Sequence, residues 1–322
     1  MTTDRMTADG ARRSYTIVGA GAVGLLYGTR LAVAGHPVRW LVRSGADTIA
    51  AEGIEVQSEG RRLRIEPADV VVASEPGALP ASDVVVVATK TTANGRLGEL
   101  LAGAGVPGAT IAVFQNGLGA EEVVRAQVPG TGAVLGGLCF VCAHRHGPGR
   151  AEHLDYGAVT LAPLEVEHLP AADEVAADLR RAGVEAAVLD DLGVARWRKL
   201  VWNIPFNGLC ALLDASTDAL LADAATRALV ADLMDEVIAG ARAAGHDIPE
   251  AFRDEMLAAT DAMRPYDPSM KLDLAAGRPL EIDAIYDEAV RTAREVGVPM
   301  PRTEALAAML RFRGRPAPLP PT

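Results

Sequence analysis

Residues 15–24 read Tyr-Thr-Ile-Val-Gly-Ala-Gly-Ala-Val-Gly, a short β-branched run followed by three spaced glycines, and apolar residues continue at helical spacing to about Ala34. A strand, a G-x-G-x-x-G turn and a helix in this order are typical of a dinucleotide-binding unit. Gly19 permits the tight turn, Gly21 lets backbone amides approach a pyrophosphate, and Gly24 allows the helix to pack close to the strand. The candidate cofactor-binding residues are Gly19, Ala20, Gly21, Ala22, Val23 and Gly24.

Short β-branched runs alternate with helical stretches from Tyr15 to about Val188, which indicates a parallel sheet covered by crossover helices. The clearest predicted strands are residues 15–18, 38–42, 70–73, 84–88 and 111–114. The run Val84-Val85-Val86-Val87 is apolar at every position, as expected for a strand buried on both faces. We therefore predict an α/β fold here, a doubly wound parallel sheet of the Rossmann type.

The sequence changes character near Leu192, where β-branched runs stop and Ala, Leu, Asp, Glu and Arg recur at helical spacing to Leu310. We expect a disordered leader over residues 1–13, a dinucleotide-binding domain over 14–189, an all-α domain over 190–312 and an extended tail over 313–322. An apolar face of the helical domain could form a homodimer interface or the internal core, and periodicity does not distinguish the two.

The charge and cysteine content exclude several classes of protein. The 322 residues include 42 acidic and 31 basic side chains, a net charge of −11, so nucleic acids and anionic membranes would be repelled. No apolar run reaches the roughly 18 residues that span a bilayer. Three cysteines are too few for a secreted disulfide framework, so we expect a cytoplasmic protein.

Cys139 and Cys142 have C-x-x-C spacing within the apolar run Leu135 to Ala143. No second ligand pair accompanies them, so no metal site is expected. We interpret them as buried structural cysteines, with metal or redox chemistry as the alternative.

Arg43 follows the second predicted strand, where enzymes that prefer NAD usually carry an acidic residue for the ribose 2′-hydroxyl. A guanidinium can instead hold the 2′-phosphate of NADP by charge-assisted hydrogen bonds. We therefore predict NADPH as the cofactor; the alternative is a solvated arginine at a strand end.

Lys199, Asn203 and Asn207 form a polar stripe in an otherwise apolar segment, because four residues of α-helix advance about 40° beyond a full turn. Polar groups that face a core are costly unless they are paired. One ammonium and two amides could protonate and orient a bound carbonyl, or they could simply satisfy one another between helices. Pro205 lies inside this helix and predicts a kink between the two asparagines.

Several motifs in a fixed order resemble the ketopantoate reductase family, whose members reduce 2-dehydropantoate to pantoate with NADPH in pantothenate biosynthesis. The resemblance runs from about residue 14 to residue 310 and implies a Rossmann domain and a helical domain that enclose the active site between them. The motifs are Gly19 to Gly24, Lys90, Gln115-Asn116-Gly117, Trp197-Arg198-Lys199 with Asn203 and Asn207, Ser269-Met270 with Asp273, and Glu281-Ile282-Asp283.

The resemblance assigns roles to the polar stripe. Lys199 would be the general acid, with Asn203 beside it in the catalytic group. Asn116, Asn203 and Asn207 would line the pocket for the nicotinamide and the substrate, so that Asn116 would contact both ligands.

The remaining roles come from later motifs. Ser269 would bind the substrate carboxylate, and Glu281 would act in the catalytic group by binding the distal hydroxyl of a 2-oxo-4-hydroxy acid. Lys90 would lie near the cofactor. Without the resemblance, Glu281 would be an acid in the first turn of a helix, where it favours the helix dipole.

Two departures concern the substrate. Tyr286-Asp287 replaces the Asn-Gly pair common in the family, and a large ring there could narrow the substrate pocket. Residues 138–143 are also more apolar than the wall of a pocket for a small hydroxy acid needs to be.

These observations predict an NADPH-dependent reductase that transfers a hydride to the ketone of a small 2-oxo acid, most simply 2-dehydropantoate. A reductase of the same fold that acts on another ketone in a specialised pathway is an alternative. The β-hydroxyacid dehydrogenases also combine a lysine with an asparagine four residues later, but the motifs at Ser269 and Glu281 favour the resemblance to ketopantoate reductases. A non-catalytic NADP sensor is the third alternative, although a sensor needs no proton donor such as Lys199.

Overall fold

The computed structural model describes residues 12–102 and 106–315. Its strands are β1 (Tyr15–Val18), β2 (Val38–Leu41), β3 (Ile54–Ser58), β4 (Arg61–Ile65), β5 (Val71–Ala73), β6 (Val84–Val87), β7 (Thr110–Val113), β8 (Val134–Gly147), β9 (Arg150–Pro163) and β10 (Ala186–Val188). Its α-helices are α1 (Ala22–Val33), α2 (Ala46–Glu52), α3 (Leu97–Ala102), α4 (Ala120–Gln127), α5 (Leu169–Arg181), α6 (Leu192–Leu213), α7 (Thr217–Ala222), α8 (Ala224–Ala243), α9 (Ala251–Ala262), α10 (Ser269–Ala275), α11 (Glu288–Glu295) and α12 (Pro301–Arg313).

The strands form one sheet in the order β4-β3-β9-β8-β7-β6-β1-β2-β5, with β10 paired to β9. From β8 to β5 every neighbouring pair is parallel. The chain passes from β1 to β2 on one side and later returns to β6 on the other, so strand order reverses beside β1. The doubly wound Rossmann sheet is thereby confirmed, and ligands of such sheets bind at the carboxyl ends of the strands near this reversal.

The sheet is buried on both faces, as the sequence predicts for β6. Val84 and Val86 pack into the core under α1 and α5, together with Leu25. Val85 and Val87 pack into a second core on the opposite face. Successive side chains of a strand point to opposite faces, so an uninterrupted valine run requires both cores.

Beyond β8 the sheet also contains antiparallel pairs, which the sequence does not predict. β8 and β9 form a long antiparallel hairpin of 14 residues each, and β3 pairs antiparallel with β4. Three register shifts interrupt the hairpin, the first between Phe140 and Val141. Such bulges add unpaired residues and break the alternation of period two by which a strand is recognised.

The helical domain is built around α6, which packs against α8, α10 and α12. β10 ends at Val188 and α6 begins at Leu192, on either side of the predicted boundary at residue 189. None of the helices in the described ranges is both long and apolar enough to cross a bilayer.

The predicted disordered leader falls mostly on residues 1–11, outside the described residues. At its end, Arg13 donates a hydrogen bond of 2.7 Å from Nε to Asp178 on α5. The predicted extended tail begins at residue 313, where α12 ends, and residues 316–322 lie outside the described residues.

The expectation that Tyr286 would narrow the substrate pocket is wrong. Residues 283–287 form a turn of π-helix, and the ring of Tyr286 is fully buried in the core of the helical domain. Its hydroxyl donates a 3.0 Å hydrogen bond to the carbonyl of Ile204. The neighbouring Asp287 pairs instead with Arg311 at the surface.

Candidate active site

The glycine turn joins β1 to α1 in the way that the sequence predicts. Gly19 has φ of +106°, and a Cβ there would lie 2.9 Å from the carbonyl oxygen of Ala88. A Cβ on Gly24 would lie 2.0 Å from the carbonyl oxygen of Gly19. The N-terminus of α1 has no side-chain cap, so its first amides and its positive dipole end are available to an anion. This cradle fits the pyrophosphate of a dinucleotide.

Arg43 follows β2 closely and is exposed. It makes no hydrogen bond or ion pair with any residue of the described part of the chain. The side chain therefore lies where the sequence places it, beyond the carboxyl end of the strand next to β1, with its charge available to a ligand.

The polar stripe lies on α6, a helix that remains continuous through Pro205. Lys199, Asn203 and Asn207 are all buried, at 8%, 2% and 2% exposure. Asn203 Nδ2 donates a 3.3 Å hydrogen bond to Oδ1 of Asn116, which follows β7. The stripe therefore faces the Rossmann domain, while the kink at Pro205 stays a prediction.

Lys199 is a buried ammonium with no carboxylate partner among the described residues. Its Nζ donates a 2.9 Å hydrogen bond to the carbonyl of Cys139 on β8. The same nitrogen lies 4.0 Å from the ring centre of Phe140 and 5.7 Å from that of Trp202. Burial lowers the pKa of Lys199 to about 8, which brings it near the pH at which a general acid works best.

A buried ion pair holds the stripe against the sheet. Arg196, one turn before Lys199 on α6, donates a 3.0 Å hydrogen bond from Nε to Glu121 at the start of α4. Its Nη2 donates to the carbonyl of Val113 at 3.1 Å, and its Nη1 donates to that of Gln115. The sequence does not predict this pair, because nothing local to Arg196 indicates a partner 75 positions away.

Lys90 and Glu281 meet at the loop that follows β6. Glu281 Oε1 accepts from the backbone nitrogen of Thr91 at 2.9 Å and from its hydroxyl at 3.0 Å. Oε2 lies 3.2 Å from Lys90 Nζ, and that nitrogen is 2.8 Å from Oδ2 of Asp273. Burial alone would lower the pKa of Lys90, but the two carboxylates raise it above its ordinary value. Glu281 thus ties the helical domain to the Rossmann domain.

Hydrogen bonds, ion pairs and helical spacing join the predicted site residues in two groups. Lys199, Asn203 and Asn116 lie together, and Lys90, Asp273 and Glu281 form the second cluster. Ser269 is the half-buried first residue of α10, one turn before Asp273. Within the described ranges, no hydrogen bond links it to either group.

Cys139 and Cys142 are free thiols on β8. Burial raises the pKa of each thiol to about 12, so both stay protonated and unreactive at neutral pH. The part of the chain that the structure describes holds no cluster of side chains suited to a metal ion.

A cavity of about 350 Å³ opens beside Lys199, between the β8–β9 hairpin, α6 and α9. Phe140, Trp202, Phe252 and Met256 are among the residues that line it. The sequence predicts the apolar wall of this cavity at residues 138–143, but it does not predict that α9 forms another wall. Phe252 and Met256 are four positions apart, a spacing equally typical of a helix that packs on a core.

Comparisons with known proteins agree with this architecture. A family model described as "Ketopantoate reductase PanE/ApbA" matches residues 15–165, and the model "Ketopantoate reductase PanE/ApbA C terminal" matches residues 191–314. A curated 2-dehydropantoate 2-reductase from Nostoc sp. is 40% identical over 305 residues, which cover 93% of this chain and 95% of that protein.

Solved structures give the same result. The crystal structure of 2-dehydropantoate 2-reductase from Geobacter metallireducens is 41% identical, with a TM-score of 0.88 over 93% of this chain and 99% of that one. The structure of the enzyme from Methylococcus capsulatus is 31% identical, with a TM-score of 0.81 over 93% of this chain and 96% of that one. The chain belongs to the ketopantoate reductase family and is an oxidoreductase.

Proposed function

We propose that this chain reduces the ketone of a 2-oxo acid with NADPH, and that 2-dehydropantoate is the first substrate to test. The observation that carries the proposal is the buried ammonium of Lys199 beside the pair Asn203 and Asn116. Its support comes from the relatives, which are 2-dehydropantoate 2-reductases.

Four loops at the carboxyl ends of adjacent parallel strands would form the cofactor site. The turn Gly19 to Gly24 would hold the pyrophosphate and Arg43 the 2′-phosphate, and Lys90 would lie near the cofactor. Asn116 would contact the nicotinamide side of the ligand. The bound cofactor supplies the hydride that reduces the carbonyl carbon.

The protein's own part is to supply the proton and fix the carbonyl. Lys199 would give its Nζ proton to the carbonyl oxygen, so that the ketone, with the hydride added to its carbon, would become an alcohol. Asn203 and Asn207 orient the lysine and the substrate oxygens. Ser269 would receive the carboxylate, and Glu281 would receive the distal hydroxyl of a 2-oxo-4-hydroxy acid.

Oxidation of NADPH in the presence of 2-dehydropantoate and of other 2-oxo acids and ketones tests this proposal. Lys199→Met should lower kcat by about 10²–10⁴-fold, the range for loss of a general acid. Lys271→Met is the matched control, because Lys271 pairs with Asp267 on the helical domain at 2.8 Å and should leave kcat unchanged. Normal kcat in Lys199→Met would refute the role of Lys199.

Two outcomes of the substrate panel discriminate the alternatives. Turnover of another ketone but not of 2-dehydropantoate would favour a reductase with a different substrate. Binding of NADPH without reduction of any carbonyl would favour the sensor. Location in the cytoplasm and assembly as a homodimer stay predictions, the first supported by the three free thiols.

A further inference from the structure

The three lysines of the chain, Lys90, Lys199 and Lys271, lie in different electrostatic surroundings. The Nζ of Lys90 lies within 3.2 Å of two carboxylates, and that of Lys271 lies within 3.5 Å of two others. Burial opposes the charge of both ammonium groups, but the carboxylates outweigh it and raise both pKa values. Lys199 has no carboxylate partner among the described residues, so it is the lysine that loses its proton most readily.

The amino group of Lys199 lies in the wall of the cavity between the β8–β9 hairpin, α6 and α9. The hydrogen bond that its Nζ makes within the described residues is donated to the carbonyl of Cys139, at 2.9 Å. Burial lowers the pKa of this lysine to about 8, so roughly half of it is unprotonated at pH 8. An unprotonated lysine is a nucleophile, and desolvation is one of the ways in which proteins activate lysines that form imines.

The other polar side chains of the cavity wall do not compete with this amine. Cys142 lines the cavity, but burial raises the pKa of its thiol to about 12, so it stays protonated. Arg198 keeps its proton at any ordinary pH. The hydroxyl groups of Tyr156 and Thr260 donate to backbone carbonyls at 3.0 Å and 2.7 Å. Lys199 is therefore the strongest nucleophile among the described lining residues.

The walls around this amine favour an apolar reactant. The cavity volume of about 350 Å³ lies within the usual range of ligand sites, roughly 300–1,000 Å³. Its walls include Phe140, Trp202 and Met256, and none of the described lining residues is acidic. A neutral compound with an apolar body gains free energy by leaving water for such walls, whereas a polar one loses hydrogen bonds to water.

We infer that Lys199 is a covalent modification site, at which apolar aldehydes, aromatic ones above all, condense with the amine to form an imine. The nitrogen attacks the aldehyde carbon, the aldehyde oxygen leaves as water with the two amine hydrogens, and a carbon–nitrogen double bond forms. No oxidant or reductant is consumed. The reaction goes beyond the proposed reduction, because it needs neither NADPH nor a hydride.

The surroundings of Lys199 also suit the product. A protonated imine keeps one N–H, which would donate to the carbonyl of Cys139 in place of the ammonium. Its positive charge would stay beside the ring of Phe140, whose centre lies 4.0 Å from the nitrogen, and such contacts stabilise a cation. The apolar body of the aldehyde would then extend along the cavity walls.

Reductive trapping with benzaldehyde and cyanoborohydride at pH 8, without NADPH, tests the inference. The reductant converts each imine to a stable N-benzyl lysine, and peptide mapping by mass spectrometry locates it. Lys199 should be labelled at least about tenfold faster than Lys90 or Lys271, because less than about 1% of a lysine is unprotonated at this pH when its pKa is 10.4 or higher. Equal rates at the three lysines, or slower labelling of Lys199, would overturn the inference.

A polar aldehyde tests the part that the cavity plays. The rate with benzaldehyde relative to that with glyceraldehyde should be about tenfold higher at Lys199 than at free Nα-acetyl-lysine, because the cavity removes the ring from water. Met256→Gln adds an amide to the wall and should remove most of this excess. Met309→Gln is the control, since Met309 is exposed on α12 and does not line the cavity. Equal ratios at Lys199 and at the free amine, or an unchanged excess in Met256→Gln, would refute the inference.

Labelling and turnover are measured separately, so the two proposals fail separately. Lys271→Met should leave the labelling rate of Lys199 unchanged, and in Lys199→Met the two other lysines should stay as slow as in the wild type. Selective labelling of Lys199 in a protein that reduces no carbonyl would support the inference and refute the proposed function. Turnover of a 2-oxo acid without selective labelling would refute the inference alone.

Discussion

The Nζ atom of Lys90 lies 3.2 Å from Oε2 of Glu281, across 191 positions of sequence and between the two domains. Thr91 donates two further hydrogen bonds to the same carboxylate, which is only 2% exposed. Glu281→Gln should therefore lower the free energy of unfolding by about 1–3 kcal/mol even without substrate, because buried donors lose a charged acceptor. Urea denaturation of the ligand-free protein measures this loss.

The control for this variant is Glu295→Gln, which breaks a surface pair with Arg291 and should change stability by less than about 1 kcal/mol. The second readout compares two substrates, 2-dehydropantoate and its analogue without the distal hydroxyl. The ratio of their kcat/KM values measures how strongly the enzyme recognises that hydroxyl. Unchanged stability together with a loss of this ratio would mean that Glu281 serves the substrate alone and not the contact between the domains.

Lys199 gives the reaction a defined pH dependence. Its pKa, lowered by burial to about 8, means that the protonated form needed for reduction is lost as the pH rises through 8. The kcat/KM for reduction should be level below this value and fall about tenfold per pH unit above it, whereas the reverse oxidation should rise to a plateau. If kcat/KM instead falls only near the ordinary lysine pKa of about 10.4, burial does not lower the pKa of Lys199.

The same burial predicts a conflict between activity and stability. Because the pKa of Lys199 is lower in the folded state, the unfolded chain binds more protons between about pH 8 and pH 10.4, and stability rises with pH across this window. Below it the buried charge costs folding on the order of 3 kcal/mol. Lys199→Met should therefore be more stable than the wild type at pH 7 while it loses activity, and the gain should vanish above about pH 10. If Lys199→Met is less stable than the wild type at pH 7, the buried charge of Lys199 does not destabilise the folded state.

The sequence predicts those parts of the fold and site whose causes are local. The turn from Gly19 to Gly24 lies within six residues, and the stripe of Lys199 and Asn203 follows from helical spacing alone. What the stripe faces depends on distant segments. The carbonyl of Cys139 lies 60 positions before Lys199. It belongs to the β8–β9 hairpin, whose bulges interrupt the alternating pattern by which strands are recognised in a sequence. The contact between Lys90 and Glu281 likewise has no local signal, although the order of motifs names both residues.

Arg43 should decide the choice between the two nicotinamide cofactors. Hydrogen bonds to charged groups contribute about 1.5–3 kcal/mol, so Arg43→Ala should lower kcat/KM for NADPH by roughly tenfold to a hundredfold and leave NADH nearly unchanged. Arg61→Ala is a matched control, since Arg61 is also exposed and forms no ion pair within residues 12–102 and 106–315. An unchanged cofactor ratio in Arg43→Ala would refute the assignment of NADPH.

The buried pair of Arg196 and Glu121 links stability to the catalytic pKa. Arg196→Met leaves a buried carboxylate without its partner and should lower the free energy of unfolding by about 3–5 kcal/mol, whereas Glu121→Leu with Arg196→Met should recover most of that loss. Burial is the main cause of the low pKa of Lys199, and the charge of Arg196 lowers it further. The double variant should therefore shift the alkaline limb of kcat/KM to higher pH. If the pH at which kcat/KM falls is unchanged in the double variant, Arg196 positions α6 without lowering the pKa of Lys199.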